Sequence, residues 1–281
     1  MSGTLFVVST PIGNLGDVSE RALDVLRSVA IVACEDTRVT GKLLRRFGVA
    51  TRVTSYHEHN EARRAPQLLE RLRSGDDVAL VSDAGTPLVS DPGYRLVRAA
   101  RETGVPIRAV PGPSAAIAAL AISGLPTTPF TFVGFLPPRG QARHRAIDSL
   151  RNVTHTVVLF EAPGRIARLL SELATVLGDR QAVLLRELTK LHEEHWWGSL
   201  GELSVRAKCQ SLKGELTLVV AGRSPERPIP LETLASRFAE LRRSGLAARD
   251  AARALAREHG LSARAIYQAF AVSGSGQSDP R

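Results

Sequence analysis

The sequence predicts an α/β protein: two α/β domains followed by a small C-terminal helical extension. Three observations carry this. Short apolar runs alternate with helically spaced ones from residue 5 onward, Gly/Pro-rich turns close most of the apolar runs, and the composition shifts after residue 223 to an Ala/Arg-rich helical pattern. A chain of 281 residues is long enough to build two α/β cores.

Residues 5–9 form a continuous run of the kind found in a strand buried on both faces of a parallel sheet. Apolar positions 22, 23, 25, 26 and 29 have helical spacing, with Ser19 as the candidate N-cap. A second strand, 31–34, runs into Glu35-Asp36-Thr37-Arg38 and a basic helix at 41–47. Residues 51–55 make a third strand, and Leu68, Leu69 and Leu72 mark a helix that closes at Gly75. A fourth strand at 78–81 and a fifth at 107–110 flank a helix opened by Asp91-Pro92-Gly93, and Ser114 opens an Ala-rich helix. This βα alternation implies a mostly parallel sheet covered on both faces. After a strand at 130–135, Leu136-Pro137-Pro138-Arg139-Gly140 breaks the pattern, so the N-terminal domain is expected over 1–138. The second domain, 139–223, has strands at 156–160, 182–185 and 216–220 and a helix at 165–177. A Pro-rich linker at 224–230, helices over 231–272 and a disordered tail at 273–281 complete the expectation.

Lys and Arg number 37 against 28 Asp and Glu, a net charge of +9, and most of the cations are arginine. Such a surface suits a polyanion such as nucleic acid, and equally a solubilising role in an Arg-rich proteome. The two cysteines, Cys34 and Cys209, form no CxxC pair, so neither a disulfide framework nor a zinc site of usual spacing is expected. The opening MSGTLFVVSTPIGN lacks a basic n-region and reads as a strand, and the apolar runs are too short to span a membrane. The expected location is the cytoplasm.

In open α/β sheets ligands bind outside the carboxyl ends of the strands. Four turns at such ends are unusual: Thr10-Pro11-Ile12-Gly13-Asn14, Ser82-Asp83-Ala84-Gly85-Thr86-Pro87, Pro111-Gly112-Pro113-Ser114-Ala115 and Phe160-Glu161-Ala162-Pro163-Gly164. Gly and Ala let the backbone approach a ligand, and Pro fixes the turn. Any one of them needs no more explanation than turning the chain; four at one edge point to a site. The first turn has one glycine where a dinucleotide fold needs GxGxxG. Around Gly41-Lys42, Asp36 and Leu43 occupy P-loop positions that require Gly and Ser or Thr. His57 and His59 alternate without a third ligand, and His192-Glu193-Glu194-His195 is not HExxH, so no metal is expected. The pair Trp196-Trp197 suits either packing or stacking on RNA bases.

The ordered motifs STPIGN, CEDTR, SYHEHNE, VSDAGTPLVSDPG, VPGPSA, FEAPGR, RELTKLHEE and KGELTLVVAG resemble the tetrapyrrole methylase superfamily, specifically its bacterial 16S rRNA cytidine 2′-O-methyltransferase branch. The resemblance runs from about residue 3 to residue 222. It implies two α/β domains holding S-adenosylmethionine (SAM) in their cleft, usually in a homodimer, with largely backbone contacts. The implied cofactor positions are Pro11, Gly13, Asp83, Ala84, Gly85, Pro87, Ser114, Ala115, Phe160, Glu161 and Ala162, with Leu188, Glu215, Leu216 and Thr217 on the adenine side. Gly85-Thr86-Pro87 stands where small-molecule members have Gly-Asp-Pro, so no contact through that Asp is implied.

Methyl transfer from a sulfonium is an in-line displacement governed by positioning. A ribose hydroxyl is a poor nucleophile, so a carboxylate acceptor helps, and Glu35, Asp36 and Asp83 are the candidates. Glu187 is a further carboxylate at the cleft edge, and Arg38 and Lys190 are candidates for phosphates. In the C-terminal extension Arg242, Arg249, Arg253 and Arg257 recur at four- and seven-residue intervals, giving a stripe suited to RNA backbone or to solvent. The expected partner is 16S rRNA or the small ribosomal subunit, and the expected function is 2′-O-methylation of a cytidine in its decoding region. The rival readings are a methylase of a small tetrapyrrole-like acceptor and a non-catalytic RNA-binding assembly factor.

Overall fold

The computed structural model describes residues 2–224, 231–259 and 261–272. The linker positions 225–230, Gly260 and the tail 273–281 lie outside the described residues. The chain divides into two compact units, Met1–Arg223 and Ser224–Arg281.

In the first unit, strands β1 (Leu5–Val8), β2 (Ile31–Cys34), β3 (Val53–Ser55), β4 (Val78–Leu80) and β5 (Ile107–Val110) form one sheet in the order β3-β2-β4-β1-β5. Every pairing in it is parallel. Side chains alternate across the pleat. Ile31, Ala33, Val78 and Leu80 face helices α3 (Glu61–Arg73) and α4 (Tyr94–Glu102) through Leu68, Leu72 and Leu96. Val32, Cys34, Ala79 and Val81 face α1 (Glu20–Ser28) and α2 (Thr37–Arg46) through Ala22, Leu26 and Leu44. Ser19 caps α1 as expected, its side chain accepting from the Ala22 amide at 3.1 Å. α2 begins at Thr37, a turn earlier than the apolar spacing predicts, because the Asp36 side chain accepts from the Arg38 amide at 2.8 Å.

The second sheet contains β6 (Phe130–Phe135), β7 (Thr156–Glu161), β8 (Gln181–Arg186), β9 (Glu194–Ser199) and β10 (Leu216–Val220), ordered β6-β7-β10-β8-β9. It is mixed: β6 and β7 are parallel, and the other neighbours are antiparallel. β6 precedes the Pro137-Pro138 break yet pairs in this sheet, since hydrogen bonding to β7 and not the loop chemistry decides its membership. Helices α6 (Gly140–Asp148), α7 (Pro163–Leu177) and α8 (Leu200–Cys209) carry Ile147, Ile166, Leu169, Leu173, Leu200 and Leu203 onto one face. β9 and α8 do not emerge from apolar spacing. β9 is read as charge plus two tryptophans, of which Trp196 is buried and Trp197 exposed. α8 starts on a capping box between Ser199 and Glu202.

Helix α5 (Ala115–Ile122) is apolar all round, and this explains its position. Ala116, Ala119 and Leu120 pack with Ile12 from the first-sheet side and with Val158, Val183, Leu185 and Val219 from the second sheet. The helix that leaves β5 therefore packs on the other sheet and holds the strand-end turns near it.

The second unit contains α9 (Leu231–Arg243), α10 (Ala248–His259) and α11 (Ala263–Tyr267), joined through Leu234, Phe238, Ala252, Leu255 and Ile266. Among the described residues no helix is long and apolar enough to cross a membrane.

Candidate functional site

β1 and β4 are neighbours, but the strands that follow them lie on opposite sides, which opens a crevice above their carboxyl ends. The turns at that edge are bound to one another. The Thr10 amide donates to the Gly85 carbonyl at 2.9 Å, and the Gly85 amide to the Thr10 carbonyl at 3.0 Å. Thr86 Oγ1 donates to the Pro113 carbonyl at 3.1 Å and lies 3.1 Å from Ser9 Oγ. The ends of β1, β4 and β5 thus form one rigid rim. Gly85 adopts φ +85°, which costs an L residue about 1–2 kcal/mol. Its amide is spent on Thr10, and Gly85 gives a ligand in the cleft clearance beside the backbone.

The rim faces β7 and β10 across a cleft of about 350 Å³. Asp83, Ala84, Gly85, Ser114, Ala115, Phe160, Glu161, Ala162, Leu188, Glu215, Leu216 and Thr217 all line it. A neighbouring cavity of about 430 Å³ shares Ile12, Asp83, Ala84 and Glu215 with the cleft and is lined also by Pro11, Gly13 and Lys190. Pro87, Glu35, Asp36 and Arg38 line neither.

Sequence reasoning passed over Val89, Ser90, Asp91, Phe135 and Gly214, which also line the cleft. Leu88 and Ser90 have φ of +71° and +70°, and Glu187 and Thr189, on either side of Leu188, have +52° and +68°. Non-glycine residues in this region store backbone strain that tends to collect at ligand sites, but nothing in the one-letter code reports it. Gly134 could have been noticed: a Cβ there would stand 2.5 Å from Ser90 Oγ, so β6 needs glycine to admit the loop.

The acidic groups are differentiated. Hydrogen bonds from Arg38 hold Asp36 down at about 2, and the same side chain caps α2, so Asp36 serves local structure. Burial raises Glu35, with the Asp83 charge adding to it. Burial also raises Asp83, whose Oδ1 accepts from the Asp36 amide at 3.0 Å. Burial pushes Asp91 up to about 6, helped by the charges of Glu35 and Asp83. A carboxyl raised in this way stabilises the fold below its unfolded value near 4 and loses that contribution as pH rises through about 6. Asp91→Asn should therefore raise the melting temperature at pH 7.5 by about 2–4 °C, the equivalent of about 1 kcal/mol after allowing for partial solvent screening. At pH 4 the two proteins should melt together. An equal loss at both pH values would show that Asp91 is not under this strain.

Two ion-pair networks wall the cleft. Glu161, wholly buried, accepts from Arg143 Nη1 at 3.3 Å and Arg165 Nη2 at 2.6 Å, and its Oε1 takes the Ala162 amide at 2.9 Å. Lys190 Nζ binds Glu187 Oε1 at 2.8 Å and Glu215 Oε2 at 3.2 Å. Glu187 Oε1 also accepts the Glu215 amide at 2.9 Å, and a Cβ on Gly214 would stand 2.3 Å from that oxygen, which explains the glycine.

Residues 4–204 match the model of the Tetrapyrrole (Corrin/Porphyrin) Methylases. The chain belongs to the tetrapyrrole methylase family. It is 54% identical over 226 residues to "Ribosomal RNA small subunit methyltransferase I" of Micromonospora olivasterospora, spanning 80% of this chain and 72% of that one. The protein of the same name from Escherichia coli O157:H7 is 42% identical over 270 residues, 95% of this chain and 94% of that one. Among solved structures, a diphthine synthase superposes with a TM-score of 0.63 at 22% identity, over 80% of this chain and 92% of that one. A cobalt precorrin-4 methyltransferase gives 0.58 at 19%, over 78% and 94%. These two share the methylase fold.

Beyond the methylase cleft, the expected phosphate-binding cations already have protein partners. Arg38 holds Asp36 through Nε and Nη2, and Lys190 sits between two glutamates. In the second unit Arg242 donates to the Leu246 carbonyl at 2.7 Å, Arg253 stands 3.6 Å from Asp250, and Arg249 lies 6.0 Å from the Tyr267 ring. Arg257 Nε donates to the Arg253 carbonyl at 3.4 Å. All four are exposed and their links are surface contacts, so each remains able to meet an anion. Trp196 donates to Glu194 Oε1 at 2.5 Å beneath the Arg206 guanidinium, 3.9 Å from its ring centre, which makes it a packing residue.

Proposed function

We propose that this methylase transfers a methyl group from SAM to the ribose 2′-hydroxyl of a cytidine in the decoding region of small-subunit rRNA. The observation that carries the reading is the pair of cavities meeting at Ile12, Asp83, Ala84 and Glu215: one suits a donor, the other an acceptor. The names of the relatives and the net charge of +9 support an RNA acceptor.

The cleft fits SAM on its own chemistry. Ala84, Ala115, Phe160, Leu188 and Leu216 offer apolar walls to an adenosine, and Phe160 is braced edge-on by Phe132 at 5.0 Å. Asp83 and Asp91, both held above their usual range by burial, face a cationic ligand that would relieve them. When bound, SAM supplies an electrophilic methyl on a positively charged sulfur and departs as a neutral thioether.

What remains for the chain is to position the hydroxyl oxygen and accept its proton. Two carboxylates stand on the shared wall; Glu215 is paired with Lys190, which leaves Asp83 for this role. Its Oδ1 is held by the Asp36 amide, and its Oδ2 has no partner among the described residues. The oxygen–carbon bond forms as the carbon–sulfur bond breaks, and the proton passes to Asp83 Oδ2. A raised carboxyl is the better base near neutrality. After burial, the nearby Asp36 charge raises Asp83, and the Asp36 amide orients it.

Incubation with methyl-labelled SAM and hypomethylated small subunits, followed by nucleoside analysis, tests this reading. Label in 2′-O-methylcytidine is expected; label only in a base, or none in rRNA, refutes it. Deleting residues 231–281 should weaken RNA affinity and flatten its salt dependence while leaving SAM affinity unchanged. Equal loss of both affinities in titrations would instead make the extension part of the catalytic body.

A further inference from the structure

The cavity beside the cleft runs along α2. Val39, Lys42, Leu43 and Arg46 recur at helical spacing, so they share the face that lines it. Lys42 and Arg46 are exposed, and among the described residues neither has an ion pair or a side-chain hydrogen bond. They stand one turn apart, an arrangement that costs a few tenths of a kcal/mol unless an anion is shared. Arg38 and Lys190, by contrast, are spent on Asp36 and on Glu187 and Glu215. Leu15 and Val39, each 43% exposed, place apolar surface in the same cavity as the two free cations. Apolar surface beside unpaired positive charge matches a nucleoside joined to phosphate.

We propose that this cavity is the acceptor subsite, with Lys42 and Arg46 binding the phosphates on either side of the methylated nucleotide and Leu15 and Val39 supporting its ribose and base. The proposal rests on the reading of the protein as an RNA methylase and deepens it. The wall shared with the cleft, Asp83 and Ala84, is where the ribose hydroxyl meets the donor. The RNA strand therefore approaches along α2. Arg38 does not line the cavity and stays outside the contact.

The test compares wild type with the double variant Lys42→Ala/Arg46→Ala in binding a fluorescent single-stranded RNA across a salt series, alongside SAM titration and thermal melting. Each phosphate contact on a single strand contributes about 0.7 to the slope of log affinity against log salt. The double variant should lose about 1.4 from that slope and about tenfold in affinity near 0.1 M salt, with SAM affinity and melting temperature unchanged. Lys42→Arg/Arg46→Lys should restore most of the affinity, and Arg38→Ala should leave the slope as it was. An unchanged slope and affinity in the double variant overturn the subsite. Failure of the wild-type protein to label rRNA would instead refute the methylase reading, so the two failures are separable.

Discussion

Glu161→Ala should lower the melting temperature of the protein by roughly 6–20 °C, the consequence of about 3–5 kcal/mol lost when one partner of a buried ion pair is removed. Glu161 has no exposed side-chain surface, and Arg143, its partner, is only 1% exposed. Removing the carboxylate leaves Arg143 Nη1 with the Pro137 carbonyl alone and Nε with Glu172, which is itself partly exposed, and Nη2 already has no partner. Arg165, partly exposed, can turn to water; Arg143 cannot. The Ala162 amide at the start of α7 loses its acceptor as well. Replacing the pair together, Glu161→Leu with Arg143→Met, should recover much of the loss, because two charges then need not be desolvated. Thermal melts of the three proteins check this. A drop below about 3 °C for the single variant would mean that the network is wetter than its geometry indicates.

The second large effect concerns binding. Gly85→Val should weaken SAM by at least about 100-fold, the equivalent of about 2.7 kcal/mol, while the protein still folds. A Cβ at this position would lie 3.3 Å from Ile12 Cγ2, and valine's two methyls need room that only Ile12 or the cleft can give. Backbone strain at φ +85° adds about 1–2 kcal/mol, which costs stability without unfolding the chain. Gly85→Ala, with no branch to place, should show the strain and a smaller loss of affinity. Calorimetric titration with circular dichroism distinguishes the two. Retained SAM affinity in the valine variant would remove this turn from the donor site.

The strand-end turns were legible because glycine and proline announce themselves. The chain needs them wherever backbone must bend sharply or a ligand must come close, and most of the residues so picked do line the cleft. The parallel sheet was legible for a similar reason, since strands buried on both faces read as unbroken apolar runs. β9 was not, because its face alternates between Trp196 inward and Trp197 outward amid charges that serve Arg186 and Arg206. Asp91 was read only as part of a helix start. Its strain comes from burial and from Glu35 and Asp83, neighbours distant in sequence. The charges themselves could be counted, but not their partners. Arg38 and Lys190 have theirs within the fold, whereas Lys42 and Arg46, part of what reads as a basic helix, do not. A sequence states which charges exist; the fold decides which remain available.

The most direct measurement is the structure of this protein with S-adenosylhomocysteine, the thioether left when the donor gives up its methyl group. The ligand should occupy the cleft bounded by Gly85, Ser114, Phe160, Leu188 and Thr217, with its sulfur turned toward Asp83 and Ala84 and the α2 cavity left free for the acceptor. A ligand seated wholly in the α2 cavity, or outside both, would contradict the assignment of donor and acceptor sites.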